Sequence, residues 1–121
     1  MKKKTKFHVL GTEWTCIRET LAEEPSYKDC DGWCDPSVKE IHVRVYTDEE
    51  KKADDFAYAN REEIDKRVIV HEVIHAYFFE SGLWRNSLSV DGPWAMNEEC
   101  VDWLAIQFPK IVESCSELDA I

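Results

Sequence analysis

A chain of 121 residues with 44% hydrophobic content, five Trp, five Phe and four Tyr has apolar surface for one core and too little length for two, so a single domain over residues 1–121 is expected. The formal charge is −10, and because Lys2, Lys3, Lys4 and Lys6 gather four positive charges at the start, the remainder carries −14, which argues against nucleic acid as a direct partner. No stretch approaches membrane-spanning length, residues 7–11 are too short and polar for a signal-peptide core, and five cysteines leave one unpaired, so the expected setting is cytoplasmic, with reduced thiols and no membrane partner.

Residues 1–6 read as a disordered basic tail. Residues 6–10 and 14–18, rich in β-branched and aromatic side chains on either side of Gly11-Thr12-Glu13, predict a hairpin. Residues 27–34 run toward the turn Asp35-Pro36-Ser37-Val38, and residues 39–46 then alternate, with Ile41, Val43 and Val45 on one face and His42, Arg44 and Tyr46 on the other, which makes them the clearest strand of the chain. Residues 47–55 are dense in charge and lack apolar periodicity, as in a solvated loop or an exposed helical turn.

Asn60-Arg61-Glu62-Glu63 resembles a capping box and Gly82 is a natural stop, so a helix is predicted from about 61 to 81. Its wheel places Ile64, Val68, His71, His75 and Phe78 on one stripe, with apolar residues around most of the remainder, so burial on several sides is expected. Residues 83–95 carry turn residues and no period, as in a loop that shapes a cleft. A second helix is predicted from about 96 to 108, and Pro109 is placed to open a short last helix over residues 110–118. The class that results is α+β, with a small N-terminal antiparallel sheet of three or four strands followed by three helices.

The chemistry gathers in the first of these helices. His71-Glu72-Val73-Ile74-His75 reads H-E-x-x-H, and at 3.6 residues per turn the two imidazoles share a face and reach one metal ion, with Glu72 beside them as a general base. Two ordinary core histidines are the plainer reading, but a glutamate between them in so apolar a segment is costly to bury. Catalytic zinc sites use three protein ligands and leave one position open, and Asn97-Glu98-Glu99-Cys100-Val101-Asp102 supplies the third. Glu98 and Asp102 lie four apart on one helical face, so Glu98 can bind the ion while Asp102 reaches the second nitrogen of a liganding histidine and fixes its tautomer. The plainer alternatives are a carboxylate drawn to a helix start by the macrodipole and a surface aspartate. Cys30 and Cys34 could belong to a separate zinc site, but a second such pair is missing.

The pattern H-E-x-x-H followed by N-E-x-x-x-D resembles the zinc metallopeptidases called gluzincins. The small size and the order of Gly32-Trp33-Cys34-Asp35, strand, metal helix and Asn-Glu-Glu helix are similar to minimal gluzincin-like proteins of phages and prophages. Carried over by position, the resemblance implies a zincin-like fold, one zinc ion held by His71, His75 and Glu98, Glu72 as general base and Asp102 as partner of His71. The implied activity is hydrolysis of a peptide bond in a peptide or protein substrate, which would lie along residues 39–46 as an edge strand. Arg85 in the cleft loop, and His42 and Arg44 on that strand, are the candidate oxyanion or substrate contacts. Two rival readings accompany this one: a non-catalytic zinc-binding or partner-recognition module with a degenerate peptidase fold, and a hydrolase resembling peptide deformylase, with Cys34 as third ligand.

Overall fold

The computed structural model describes residues 2–53, 60–83, 95 and 97–121. Four strands, β1 (Lys3–Val9), β2 (Thr12–Thr20), β3 (Gly32–Asp35) and β4 (Glu40–Val45), precede a short helix α1 (Asp48–Ala53) and two long ones, α2 (Arg61–Glu80) and α3 (Glu98–Glu117). The class is α+β, as the sequence pattern requires.

The first hairpin turns tightly on Leu10 and Gly11, whose φ values of 49° and 86° both lie in the region that a two-residue turn of the I′ kind demands. The strands are therefore longer than the apolar runs that announce them. The lysine-rich start is a strand and not the disordered tail expected: Lys3 pairs with Arg18 and Lys6 with Thr15 across the hairpin. Backbone pairing and the ion pairs Lys6–Glu13 and Lys2–Glu19, both at 3.2 Å, offset the mutual repulsion of the lysines, and charge on an outer strand also deters edge-to-edge association.

The sheet order is β1-β2-β4-β3. The β1–β2 and β3–β4 pairs are antiparallel, but β2 and β4 run parallel, so the sheet is mixed where a purely antiparallel one was expected. After β2 the chain skips one position, lays down β3, reverses and inserts β4 into the vacant slot. Two reversals bring β4 back to the direction of β2. Residues 40–45 consequently lie inside the sheet, paired on both sides, and the edge strand beside the helices is β3. The expectation that residues 39–46 form the edge is thus corrected.

One sheet face carries Val9, Trp14, Cys16, Ile41 and Val43, which bury together with Ala76 of α2. Helix α2 is anchored at its far end by Glu80, whose Oε1 accepts from Trp14 Nε1 at 2.8 Å and meets Lys39 Nζ at 3.0 Å. At its start Asn60 Oδ1 accepts from the Glu63 N–H at 3.2 Å, and Gly82 (φ 84°) follows its end, as the capping pattern predicts. It is less enclosed than its apolar wheel suggests: Glu72, His75 and Ala76 are buried, while Tyr77 is 43% exposed.

The opposite face is closed by Tyr27, from a 3₁₀ turn at Pro25–Lys28. Its hydroxyl donates to buried Glu19 at 3.1 Å, His42 Nδ1 lies 2.7 Å from the same carboxylate, and Trp33 stacks on the His42 ring.

Helix α3 is continuous through Pro109, in place of the two helices expected. Proline removes one donor from a helix interior, and at this exposed position the turns before and after retain theirs. Among the described residues, no helix is long and apolar enough to cross a membrane.

Candidate metal centre

The first turns of α3 bring Glu98 over the middle of α2. Asn97 caps that helix, its Oδ1 accepting from the Cys100 N–H at 2.8 Å, so the next residue begins the first turn with its carboxylate free. Glu98 Oε2 lies 3.0 Å from His71 Nε2, Glu98 Oε1 lies 3.1 Å from His75 Nε2, and the two Nε2 atoms are 3.2 Å apart. Among the described residues, His71, His75 and Glu98 form the group of donor atoms able to hold a metal ion. Donors about 2.0–2.2 Å from a tetrahedral ion stand roughly 3.3–3.6 Å apart, a few tenths of an ångström beyond the separations here.

The protonation pattern favours the same reading. His71 Nδ1 faces Asp102 Oδ1 at 3.4 Å, and a proton held on that nitrogen would leave the lone pair of Nε2 directed toward Glu98. Burial lowers the pKa of His75, against the opposing pull of Glu98, and so keeps it in the neutral form that ligates. With both Nε2 atoms unprotonated, two imidazole lone pairs and a carboxylate would converge on one point, an arrangement that a cation stabilises.

Glu72 stands beside this group and outside it, with Oε1 4.0 Å from His71 Nε2. It is 5% exposed, and its Oε2 is buried without a hydrogen-bond partner. Burial first, and the charge of Glu98 second, push its carboxyl up to about 8. An orphaned buried oxygen next to three convergent donors fits a site that accommodates an ion and a polar molecule bound with it.

These groups line a cleft of about 390 Å³ whose other wall is Gly32, Trp33 and Cys34 of β3. A Cβ on Gly32 would stand 2.7 Å from the His42 carbonyl oxygen and 3.3 Å from Glu72 Cγ. The close approach to the backbone of β4 requires glycine here, and the absence of a side chain also leaves room beside Glu72, a role the sequence reading missed, although an isolated glycine in a strand signals such an approach. Because the Arg44 N–H donates to the Asp31 carbonyl at 2.9 Å, the register makes Trp33 the next residue bonded to β4. The alternation then turns the backbone N–H and C=O of Cys34, and the C=O of Gly32, toward the edge, which no described strand covers.

Of the remaining residues singled out from sequence, Asp102 lies beside His71, with Oδ1 3.4 Å from Nδ1. Cys34 lines the cleft, but its thiol is outside the donor group, and burial followed by the Glu72 charge pushes it up to about 12, away from the thiolate that binds metals. Cys30 is exposed on the segment before β3 and forms no pair with it. His42 and Arg44 project from the sheet face away from α2, where His42 is held by Glu19 and Glu40, and Arg44 by Glu50 and the Tyr27 carbonyl. Their assignment as oxyanion or substrate contacts is therefore corrected. Arg85 and Trp84 fall outside the described residues.

The buried carboxyl couples stability to pH in the metal-free chain. The folded pKa of Glu72, about 8, exceeds its ordinary 4.5, so the native state keeps a proton that the unfolded chain releases. That contribution is complete below pH 4.5 and is lost as pH rises through 8. Metal-free Glu72→Gln is expected to match wild type near pH 4.5 and to exceed it at pH 9 by on the order of 3–5 kcal/mol. Urea denaturation of chelator-treated protein checks this; a difference independent of pH would show that the carboxyl is solvated.

No protein-family model, curated protein or solved structure matches the chain, so the reading of this centre rests on its own geometry and chemistry.

Proposed function

We propose that this chain is a zinc-dependent peptidase in which Glu72 is the general base. The observation that carries the reading is the unpartnered, buried Glu72 carboxylate beside His71, His75 and Glu98. A purely structural zinc site closes with four protein ligands and has no use for such a base. Three donors leave one position of a tetrahedral ion for water or substrate.

In this reading His71, His75 and Glu98 hold the ion, and Asp102 keeps the His71 ring in the tautomer that ligates. Zinc, when bound, supplies Lewis acidity toward water and the substrate carbonyl. Glu72 accepts the proton from water as it attacks the carbonyl carbon and returns that proton to the departing amine, the two-way transfer of general acid–base catalysis. Walls formed by α2 and β3 keep bulk solvent from the carboxylate, which strengthens its interactions with the reacting groups. An extended peptide pairs with the free backbone groups of Cys34 and Gly32, adding a strand to the sheet as edge-binding ligands do.

The test is cleavage of a mixed peptide library by the full chain with one equivalent of zinc. Hydrolysis that a chelator abolishes and added zinc restores is the expected outcome. Cleavage that survives chelation, or a protein that binds zinc tightly and cuts nothing across the library, overturns the proposal in favour of a metal-independent enzyme or a binding module respectively.

A further inference from the structure

Beyond Glu72 the cleft continues into a recess of about 280 Å³, and the two cavities share Gly32, His71 and Glu72. On α2 the cleft extends toward His75 and the recess back through Arg67, one helical turn before His71, to Ile64; along β3 the cleft extends to Cys34 and the recess back to Asp31, the residue before the strand. The groove therefore runs along both elements in the same direction, with Glu72 near its middle.

The direction of a bound peptide follows from the strand. A peptide pairing antiparallel to β3 enters with its N-terminal part beside Cys34 and leaves with its C-terminal part beside Asp31. With the scissile bond at Glu72, the residues that follow that bond enter the recess.

Arg67 is the one arginine or lysine side chain among the described residues that line this recess. Neighbouring cations are engaged: Arg61 with Asp65 at 3.1 Å, Lys66 with Glu62 at 2.9 Å and Arg44 with Glu50 at 2.7 Å. No acid among the described residues pairs with Arg67. Two of the three acids of the recess have other partners, since Asp31 accepts from the Tyr46 hydroxyl and Asp102 faces His71, while the third is Glu72 with its unpartnered Oε2. Arg67 is exposed at the mouth of the recess and also borders a second cavity with Glu63, Lys66 and Lys110; its guanidinium offers a planar fork of donors that fits a carboxylate.

Building on the peptidase reading, we infer that Arg67 binds a carboxylate on the part of the substrate that follows the scissile bond and so makes the chain selective for it. The carboxylate comes either from an Asp or Glu side chain or from a free peptide C-terminus. Arg67 is then a specificity-determining residue.

The experiment uses the zinc-loaded full chain at about 0.15 M salt, which screens the net negative charge of the body. One arm compares kcat/KM for peptides that differ only by Glu or Gln immediately after the cleaved bond. The other compares free and amidated C-termini placed there. In at least one arm the wild type is expected to favour the carboxylate by about tenfold. That ratio should fall to about one in Arg67→Gln, persist in part in Arg67→Lys, and invert toward Lys-containing peptides in Arg67→Glu. A purely structural role would change rates without changing the ratio. The arm that responds identifies the source, side chain or terminus. Ratios near one in both arms, or a ratio unaltered by Arg67→Gln, overturn this inference while leaving the peptidase reading intact. If no peptide is cut, the peptidase reading falls and binding decides the carboxylate site. Zinc-loaded protein is then titrated with N-acetylated tripeptides containing Glu or Gln, and the Arg67 Nε–H resonance is followed by NMR. A shift selective for Glu sustains the site, and equal or absent shifts overturn it.

Discussion

Zinc-loaded Glu72→Gln is expected to hydrolyse peptides about a thousandfold more slowly than wild type while retaining its metal. The substitution keeps size and hydrogen-bonding capacity and removes only the ability to carry a proton. General acid–base catalysis contributes roughly 10²–10⁴ in rate, and a carboxyl already destabilised by burial belongs toward the upper part of that range. Because Glu72 is outside the donor group, zinc stoichiometry should remain at the wild-type value. The informative measurement is therefore a pair, cleavage rate and bound metal on the same sample. Activity retained by Glu72→Gln would refute the assigned base even if zinc proved essential.

Glu98→Ala should weaken zinc binding by about two to three orders of magnitude, since tight zinc binding is shared among few ligands. Asp102→Ala should weaken it by about tenfold to a hundredfold, through loss of control over the His71 ring. Cys34→Ala should keep its zinc. Competition with a chromophoric chelator at fixed pH ranks the three variants. The opposite order, with zinc lost from Cys34→Ala and kept by Glu98→Ala, would move the third ligand to the cysteine and favour the deformylase-like alternative. Glu98 is 70% exposed and belongs to a different helix from the histidines, so its removal leaves the fold of α2 untouched and isolates the effect on the metal.

The helices were more legible in the sequence than the sheet. Asn60 and Gly82 announce helix ends through local hydrogen bonding and left-handed backbone, which depend on residues three or four apart, and the start predicted at about 96 falls near the cap that Asn97 forms. Pro109 misled for the same reason: it is a good opening residue, but local chemistry does not reveal that the helix has already begun. Strand order depends on contacts distant in the chain, and nothing local distinguishes β4 beside β2 from β4 at the edge. The lysines at the start were read by composition, whereas their pairing with β2 is decided by the backbone. His42 and Arg44 hold a sharper lesson. Alternation already placed them opposite Ile41 and Val43, and the apolar face is the one that receives α2. Side chains on the far face have no path to the metal helix, a contradiction with their proposed roles that was present in the pattern itself.

The donors also bear on the energetics of the chain as a polymer. Two come from α2 and the third from the first turn of α3, across the connection between the helices. Any ion bound by all three closes that connection into a loop, and loop closure at this length corresponds to about 3 kcal/mol of entropy removed from the unfolded ensemble. The gain should be felt unevenly. Helix α2 already rests on the sheet, whereas the second half of α3 and its C-cap leave Phe108, Ile111 and Leu118 exposed. Amide exchange in the early turns of α3 should therefore slow on zinc addition by a larger factor than in α2, and equal slowing of both would indicate that they open as one unit. The ion would then act as a removable crosslink, with the anchoring of α3 set by the supply of metal.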